Sequence, residues 1–205
     1  TLIVSLPTLL KRLPPPEYVL SHTLRLKTGQ TFDHQRARLT LTQLGYHCVS
    51  LVEKHGQMAI RGGLFDIFPM GSQYPYRVDL FDNEIDQIRS FNPVDQKTIE
   101  VIELINILPA HEIPESADAI TLFKEQFLST FGVMASETEI YKNITSHIEQ
   151  NGIEYYLPLF FNNTACLFDY LPTDTRIIFT ENLSNAIENC HCMYNERYED
   201  RRHDK

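Results

Sequence analysis

Between Gly56 and Phe91 the sequence runs GQMAIRGGLFDIFPMGSQYPYRVDLFDNEIDQIRSF. Four runs of β-prone residues, Gln57–Ile60, Gly63–Phe68, Tyr76–Leu80 and Ile85–Phe91, are separated by residues that reverse a chain. Arg61-Gly62-Gly63 allows a bulge or bend, Pro69 to Pro75 is a Pro/Gly/Ser loop, and Asp82-Asn83 suits a tight hairpin. Connections this short predict an antiparallel order, because parallel neighbours need a crossover of about a dozen residues or more. Alternation along Tyr76–Phe81 places Tyr76, Val78 and Leu80 on one face and Arg77, Asp79 and Phe81 on the other. An arginine, a carboxylate and a lone phenylalanine make a poor core. They suit a partner surface.

The flanking segments complete an α+β unit. Leu24–Lys27 reads as a strand that turns at Thr28-Gly29. Asp33 is a good N-cap for a helix with Ala37, Leu41 and Leu44 on one face, and Gly45 is its C-terminal stop. Cys48–Val52 reads as the next strand, Glu53–Gly56 as a hairpin loop, and Thr98–Ile107 as a last extended element. Upstream, Leu2–Leu6 has the composition of a buried strand, Thr8–Leu13 that of a short helix, and Pro14-Pro15-Pro16 that of a stiff linker. Downstream of Pro109 and Pro114, Asp118 to Phe131 is an amphipathic helix with Ile120, Phe123, Phe127 and Phe131 on one face. Glu139–Gln150 reads as a second helix, Tyr155–Phe161 and Arg176–Phe179 as buried strands, and Leu183–Arg197 as a terminal helix. The expected organisation is a short opening segment (1–22), an antiparallel-sheet α+β domain (23–108) and an α/β subdomain (109–205).

Charge and composition narrow the function. Residues 1–110 carry 11 Lys and Arg against 11 Asp and Glu, whereas 111–205 carry 7 against 16. So acidic a second half argues against a nonspecific DNA clamp, which needs excess cations for phosphate. The four cysteines, Cys48, Cys166, Cys190 and Cys192, are too few and too scattered for a disulfide framework, and point to a reducing, cytoplasmic compartment. No apolar run reaches the roughly 18 residues that span a bilayer. Cys190-His191-Cys192 is expected on a helix, where successive side chains diverge by about 100° and cannot chelate one ion together. No glycine is followed by lysine, so no phosphate-cradling G-x-x-x-x-G-K-[ST] loop exists. The acids Asp79, Asp82, Glu84 and Asp86 fail as a calcium loop, because Gln87 and Pro93 stand where glycine and the bidentate glutamate are required. The eight dispersed histidines form no catalytic motif.

The stretch RGGLFDIFPMGSQYPYRVDLFDNEIDQIRSF resembles the UvrB-like module near the N-terminus of the bacterial transcription-repair coupling factor family. Further blocks of resemblance follow in the family's order: Asn106 to Glu112, Gly152 to Phe161 and Leu167 to Pro172. The resemblance implies that residues 1–22 are the tail of a first subdomain and that 23–108 bind UvrA, the damage-recognition ATPase. Carried over residue by residue, the UvrA-facing positions fall on Arg61, Arg77 and Phe81. It further implies a parent that is an ATP-dependent DNA translocase. Its ATP and magnesium, and its contacts with RNA polymerase and DNA, belong to other parts. Where UvrB-like helicase folds hold magnesium with an Asp-Glu pair after a buried strand, this sequence has Thr180-Glu181, so this stretch is expected to bind no cofactor.

Two functions follow. In the first, Arg61, Arg77 and Phe81 form an exposed patch that docks UvrA, and truncating any of them costs binding while hardly changing stability. In the second, Phe65, Phe68, Tyr74, Tyr76, Phe81 and Phe91 stack single-stranded bases, with Arg61, Arg77 and Arg89 on phosphates.

Overall fold

The computed structural model describes residues 2–148, 151–179 and 182–201. The fold is α+β: antiparallel sheets with helices set beside them. In chain order the helices are α1 (Leu6–Leu9), α2 (Pro16–Ser21), α3 (His34–Gln43), α4 (Ala117–Phe131), α5 (Glu139–Thr145) and α6 (Leu183–Arg201). The strands are β1 (Leu24–Lys27), β2 (His47–Cys48), β3 (Gln57–Arg61), β4 (Leu64–Ile67), β5 (Tyr76–Phe81), β6 (Glu84–Phe91), β7 (Thr98–Ile102) and β8 (Leu104–Ile107). The chain divides into a unit of Pro14–Asn163 and a unit of Thr1–Leu13 with Thr164–Lys205.

In the larger unit, β2 to β7 form a six-stranded sheet in sequence order, and β1 pairs with β8 in a second, two-stranded sheet. The two tight hairpins lie where the turn residues placed them. Arg61 pairs with Leu64 across Gly62-Gly63, and Phe81 pairs with Glu84 across Asp82-Asn83, with Asp82 in the left-handed region (φ 55°). Gly63 is required by proximity: a Cβ there would lie 3.0 Å from the Leu80 carbonyl, next to the bond that Leu80 N donates to Gly63 O.

α3 begins at Asp33, whose Oδ1 accepts from the backbone N–H groups of Gln35 and Arg36. It ends at Gly45 (φ 86°), with Tyr46 N donating to Leu41 O and Gly45 N to Thr42 O, the paired bonds of a Schellman motif. A side chain at Gly45 would also overlap the His111 ring. The helix buries Ala37 and Leu41 against Met58, Phe65, Ile67, Val78 and Ile88 of the sheet. A separate core joins α4 and α5 to the segment after them through Phe123, Phe127, Ile144, Leu157 and Phe160. The phenylalanines expected on one face of α4 divide, with Phe123 and Phe127 buried and Phe131 exposed at its last turn.

Several expectations require correction. The strand expected at Cys48–Val52 is His47–Cys48, and it runs parallel to β3, so Glu53–Gly56 is no hairpin. That segment is a folded return fastened by Gln57 Oε1, which accepts from the N–H groups of Glu53 and Lys54. Thr98–Ile107 is two strands in two sheets, divided at Glu103, whose carbonyl accepts from Thr28 N. Tyr155–Phe161 is a 3₁₀ run, Ile153–Phe160. Gly152 enters it in the left-handed region, Pro158 offers no N–H to a ladder, and the buried Leu157 and Phe160 lie three apart, the period of a 3₁₀ turn. The second helix stops at Thr145, and His147 follows in the left-handed region. The proline run is partly helical, since Pro16 takes the first turn of α2, where a missing N–H costs nothing.

In the smaller unit, Leu13 and Ala165 exchange two backbone hydrogen bonds of 2.9 Å. Leu2–Leu6 is irregular up to α1, and Ile3 is 92% exposed. Arg176–Phe179 is irregular as well, with Ile178 91% exposed. Both have strand composition, and neither has a ladder partner among the described residues. The Thr180-Glu181 pair lies outside the described residues.

Candidate protein-docking face

The six-stranded sheet has two unlike faces. One carries the row Ile60, Phe65, Val78, Ile88 and Ile102, each residue paired with the next across β3 to β7, and it packs on α3. One residue along, the opposite face carries Ala59, Asp66, Arg77, Arg89 and Val101. Period-two alternation makes this inevitable: once Val78 faces the core, Arg77 and Asp79 cannot.

Asp66 is the centre of that second face. It is 1% exposed, and both of its oxygens are used. Arg77 grips it with two parallel bonds, Nε to Oδ1 at 2.8 Å and Nη2 to Oδ2 at 2.8 Å, and Arg61 Nη2 donates to Oδ2 at 2.6 Å. A buried carboxylate is tolerable only with such partners, since an unpaired one would carry its full desolvation cost. Those bonds raise the Arg77 pKa above its ordinary value, against the lowering effect of partial burial. Arg77 is further held by Gln96, whose Oε1 accepts from Nη2 at 3.1 Å, and by the Phe91 ring, whose centroid lies 4.6 Å from its guanidinium carbon. Arg77 and Arg89 face each other across β5 and β6, and each is drawn to a different carboxylate. Arg89 donates from Nε and Nη2 to Asp79, both at 2.8 Å.

The three positions proposed from the sequence thus have different surroundings. The Arg77 side chain is 17% exposed and gripped through Nε and Nη2, the Arg61 side chain is 44% exposed, and Phe81 is 74% exposed at the end of β5. Arg61 and Phe81 lie at the same end of the sheet, because Arg61 pairs with Leu64, Leu64 pairs with Asp79, and Phe81 follows two residues later. Strand spacing puts them roughly 10 Å apart across the sheet and 7 Å along it. A cation beside a large exposed aromatic is the composition that dominates binding energy at protein interfaces.

Asp66 was missed in reading the sequence. Its signal was present: a carboxylate inside the apolar run Leu64-Phe65-Asp66-Ile67-Phe68 needs cationic partners. The base-stacking alternative loses half of its platform, since Phe65, Phe68 and Phe91 are buried, Phe65 in the main core and the other two in a small cluster with Val52 and Ala59. Among the described residues no helix is long and apolar enough to cross a membrane.

Residues 24–113, which hold both sheets and α3, match the family described as the UvrB interaction domain. Beyond that segment, the chain is similar over 98% of its length to the transcription-repair-coupling factors of Haemophilus influenzae, at 42% identity, and Escherichia coli, at 41%. The corresponding protein of Bacillus subtilis is 31% identical over 83% of the chain. The chain spans 18%, 18% and 16% of the length of these three relatives.

Proposed function

We propose that this chain is the non-catalytic UvrB-homology module of a transcription-repair coupling factor, and that it recruits UvrA to RNA polymerase stalled at DNA lesions. Residues 23–108 are the interaction domain in this reading, and 109–205 are a UvrB-like subdomain without nucleotide motifs. The observation that carries the reading is Phe81, a large aromatic left 74% exposed at the same end of the sheet as a partly exposed arginine. Such a side chain adds nothing to the domain's own core and gains its burial only against a partner. The parent protein acts in the cytoplasm as an ATP-dependent DNA translocase, and it reaches RNA polymerase and DNA through other parts.

Arg61 and Phe81 are the contacting residues, and Arg77 supports Arg61 through the carboxylate of Asp66 that both bind. Titration of purified UvrA against the chain tests this division. Arg61→Ala and Phe81→Ala are each expected to weaken binding by about 2 kcal/mol, roughly 30-fold. Parental affinity in both variants rejects the face.

A further inference from the structure

We infer that Asp66 is the positioning residue of this face, holding Arg61 so that the open edge of its guanidinium takes a carboxylate of UvrA. The inference rests on the UvrA reading above and deepens it. Arg61 spends one nitrogen, Nη2, on Asp66, while its Nε and Nη1 hydrogen-bond to nothing among the described residues. Nη2 carries a second hydrogen that lies in plane with a hydrogen of either Nε or Nη1, so one edge of the guanidinium stays open with two parallel N–H groups, the arrangement that matches a carboxylate. Asp66 cannot itself meet a partner, being covered by the two arginines that it binds. One carboxylate between two guanidiniums leaves an excess positive charge, and the exposed part of that charge is on Arg61. The face therefore calls for an acidic partner group.

The role of Asp66 is to remove a cost before binding. A free arginine side chain on a surface samples many rotamers and loses them when a partner fixes it. Here the 2.6 Å bond to a buried, doubly anchored carboxylate already fixes the guanidinium. Asp66 itself cannot swing away, because Arg77 holds both of its oxygens and Gln96 and Phe91 hold Arg77.

A double-mutant cycle in the 205-residue chain tests this, with affinity for purified UvrA and thermal unfolding measured on every variant. Asp66→Asn keeps the side chain's shape and removes the charge that fixes Arg61. It is expected to weaken UvrA binding about tenfold in the parent and less than about twofold when Arg61→Ala is already present. A purely structural Asp66 would lower binding equally in both backgrounds, and that result overturns the inference. So does a folded Asp66→Asn variant with parental affinity. If Asp66→Asn fails to fold, Arg61→Lys decides, because it keeps the charge and loses the planar fork. Affinity within about threefold of Arg61→Ala supports the inference, and parental affinity overturns it. Parental affinity in both Arg61→Ala and Phe81→Ala removes the docking face itself, whereas loss in those two beside an unaffected Asp66→Asn rejects the positioning role alone.

Discussion

The two faces of the six-stranded sheet are built from the same strands, one residue out of phase, and they are stabilised by different physics. On the core face, Phe65, Val78 and Ile88 are fully buried and paired in one row across β4, β5 and β6. On the other, Asp66, Arg77 and Arg89 occupy the same three strands and are tied by directional, charge-assisted bonds. Apolar burial is indifferent to orientation, so the core row can tolerate volume-conserving exchange. The ionic row cannot, because each guanidinium fits one carboxylate geometry. A face held this way is rigid through its ion pairs, and large hydrophobes stand open at its margins, Phe81 at the end of β5 and Val101 on β7.

The contrast predicts an order of stability losses in urea unfolding. The largest falls on the core row, where Phe65→Ala is expected to cost about 3–5 kcal/mol for the lost burial and the cavity left behind. A loss below about 1 kcal/mol would mean that the two faces do not differ as described. Arg77→Ala comes next, at about 2–3 kcal/mol, since it strips Asp66 of two of its three bonds while Arg61 remains. The sequence alone predicts a negligible loss there, so this variant separates the two views most sharply. Arg77→Lys should recover little, because an ammonium cannot reproduce the parallel pair.

The third effect is a pH dependence confined to the core side. Tyr46 is 1% exposed, donates to Leu108 O at 2.7 Å, and accepts from Met70 N at 3.3 Å. Burial pushes its phenol up to about 12 from 10.0. The folded state therefore keeps a proton that the unfolded chain releases. Its contribution to stability is complete below pH 10 and lost as pH rises through about 12. Tyr46→Phe should cost about 1 kcal/mol at neutral pH and flatten the decline across that window. An unchanged slope would assign the alkaline loss elsewhere.

How much of this was legible depended on where the folding information lay. The hairpins at Gly62-Gly63 and Asp82-Asn83, the Asp33 cap and the Gly45 stop are local, and local chemistry determines them. Strand composition without a strand, as at Arg176–Phe179, shows the limit: apolar β-branched residues permit a strand, and a neighbour with free backbone groups makes one. Tyr155–Phe161 failed for a related reason, since a short apolar run fits a buried strand or a 3₁₀ turn equally well until Pro158 is weighed. At the docking face, alternation placed Arg77 and Phe81 correctly on one side of the strand. It could not tell an engaged side chain from an open one, because the partner that buries Arg77 is Asp66, 11 residues away on β4.

The smallest stability effect belongs to Phe81. At 74% exposure on the last residue of β5, beside a turn that Asp82 and Asn83 determine without it, the ring adds little to the fold. Phe81→Ala should therefore shift unfolding by no more than about half a kcal/mol, as exposed substitutions generally do. Its effect on UvrA affinity should be the reverse in rank, about 30-fold or more, because the proposed docking buries the ring. Phe81→Leu separates burial from ring-specific contact: it should retain part of the affinity if the partner offers an apolar pocket, and none if the ring stacks on a planar group. A Phe81→Ala variant destabilised by as much as Arg77→Ala would place the ring in the fold's own packing, and the two faces would then differ less in role than their side chains indicate.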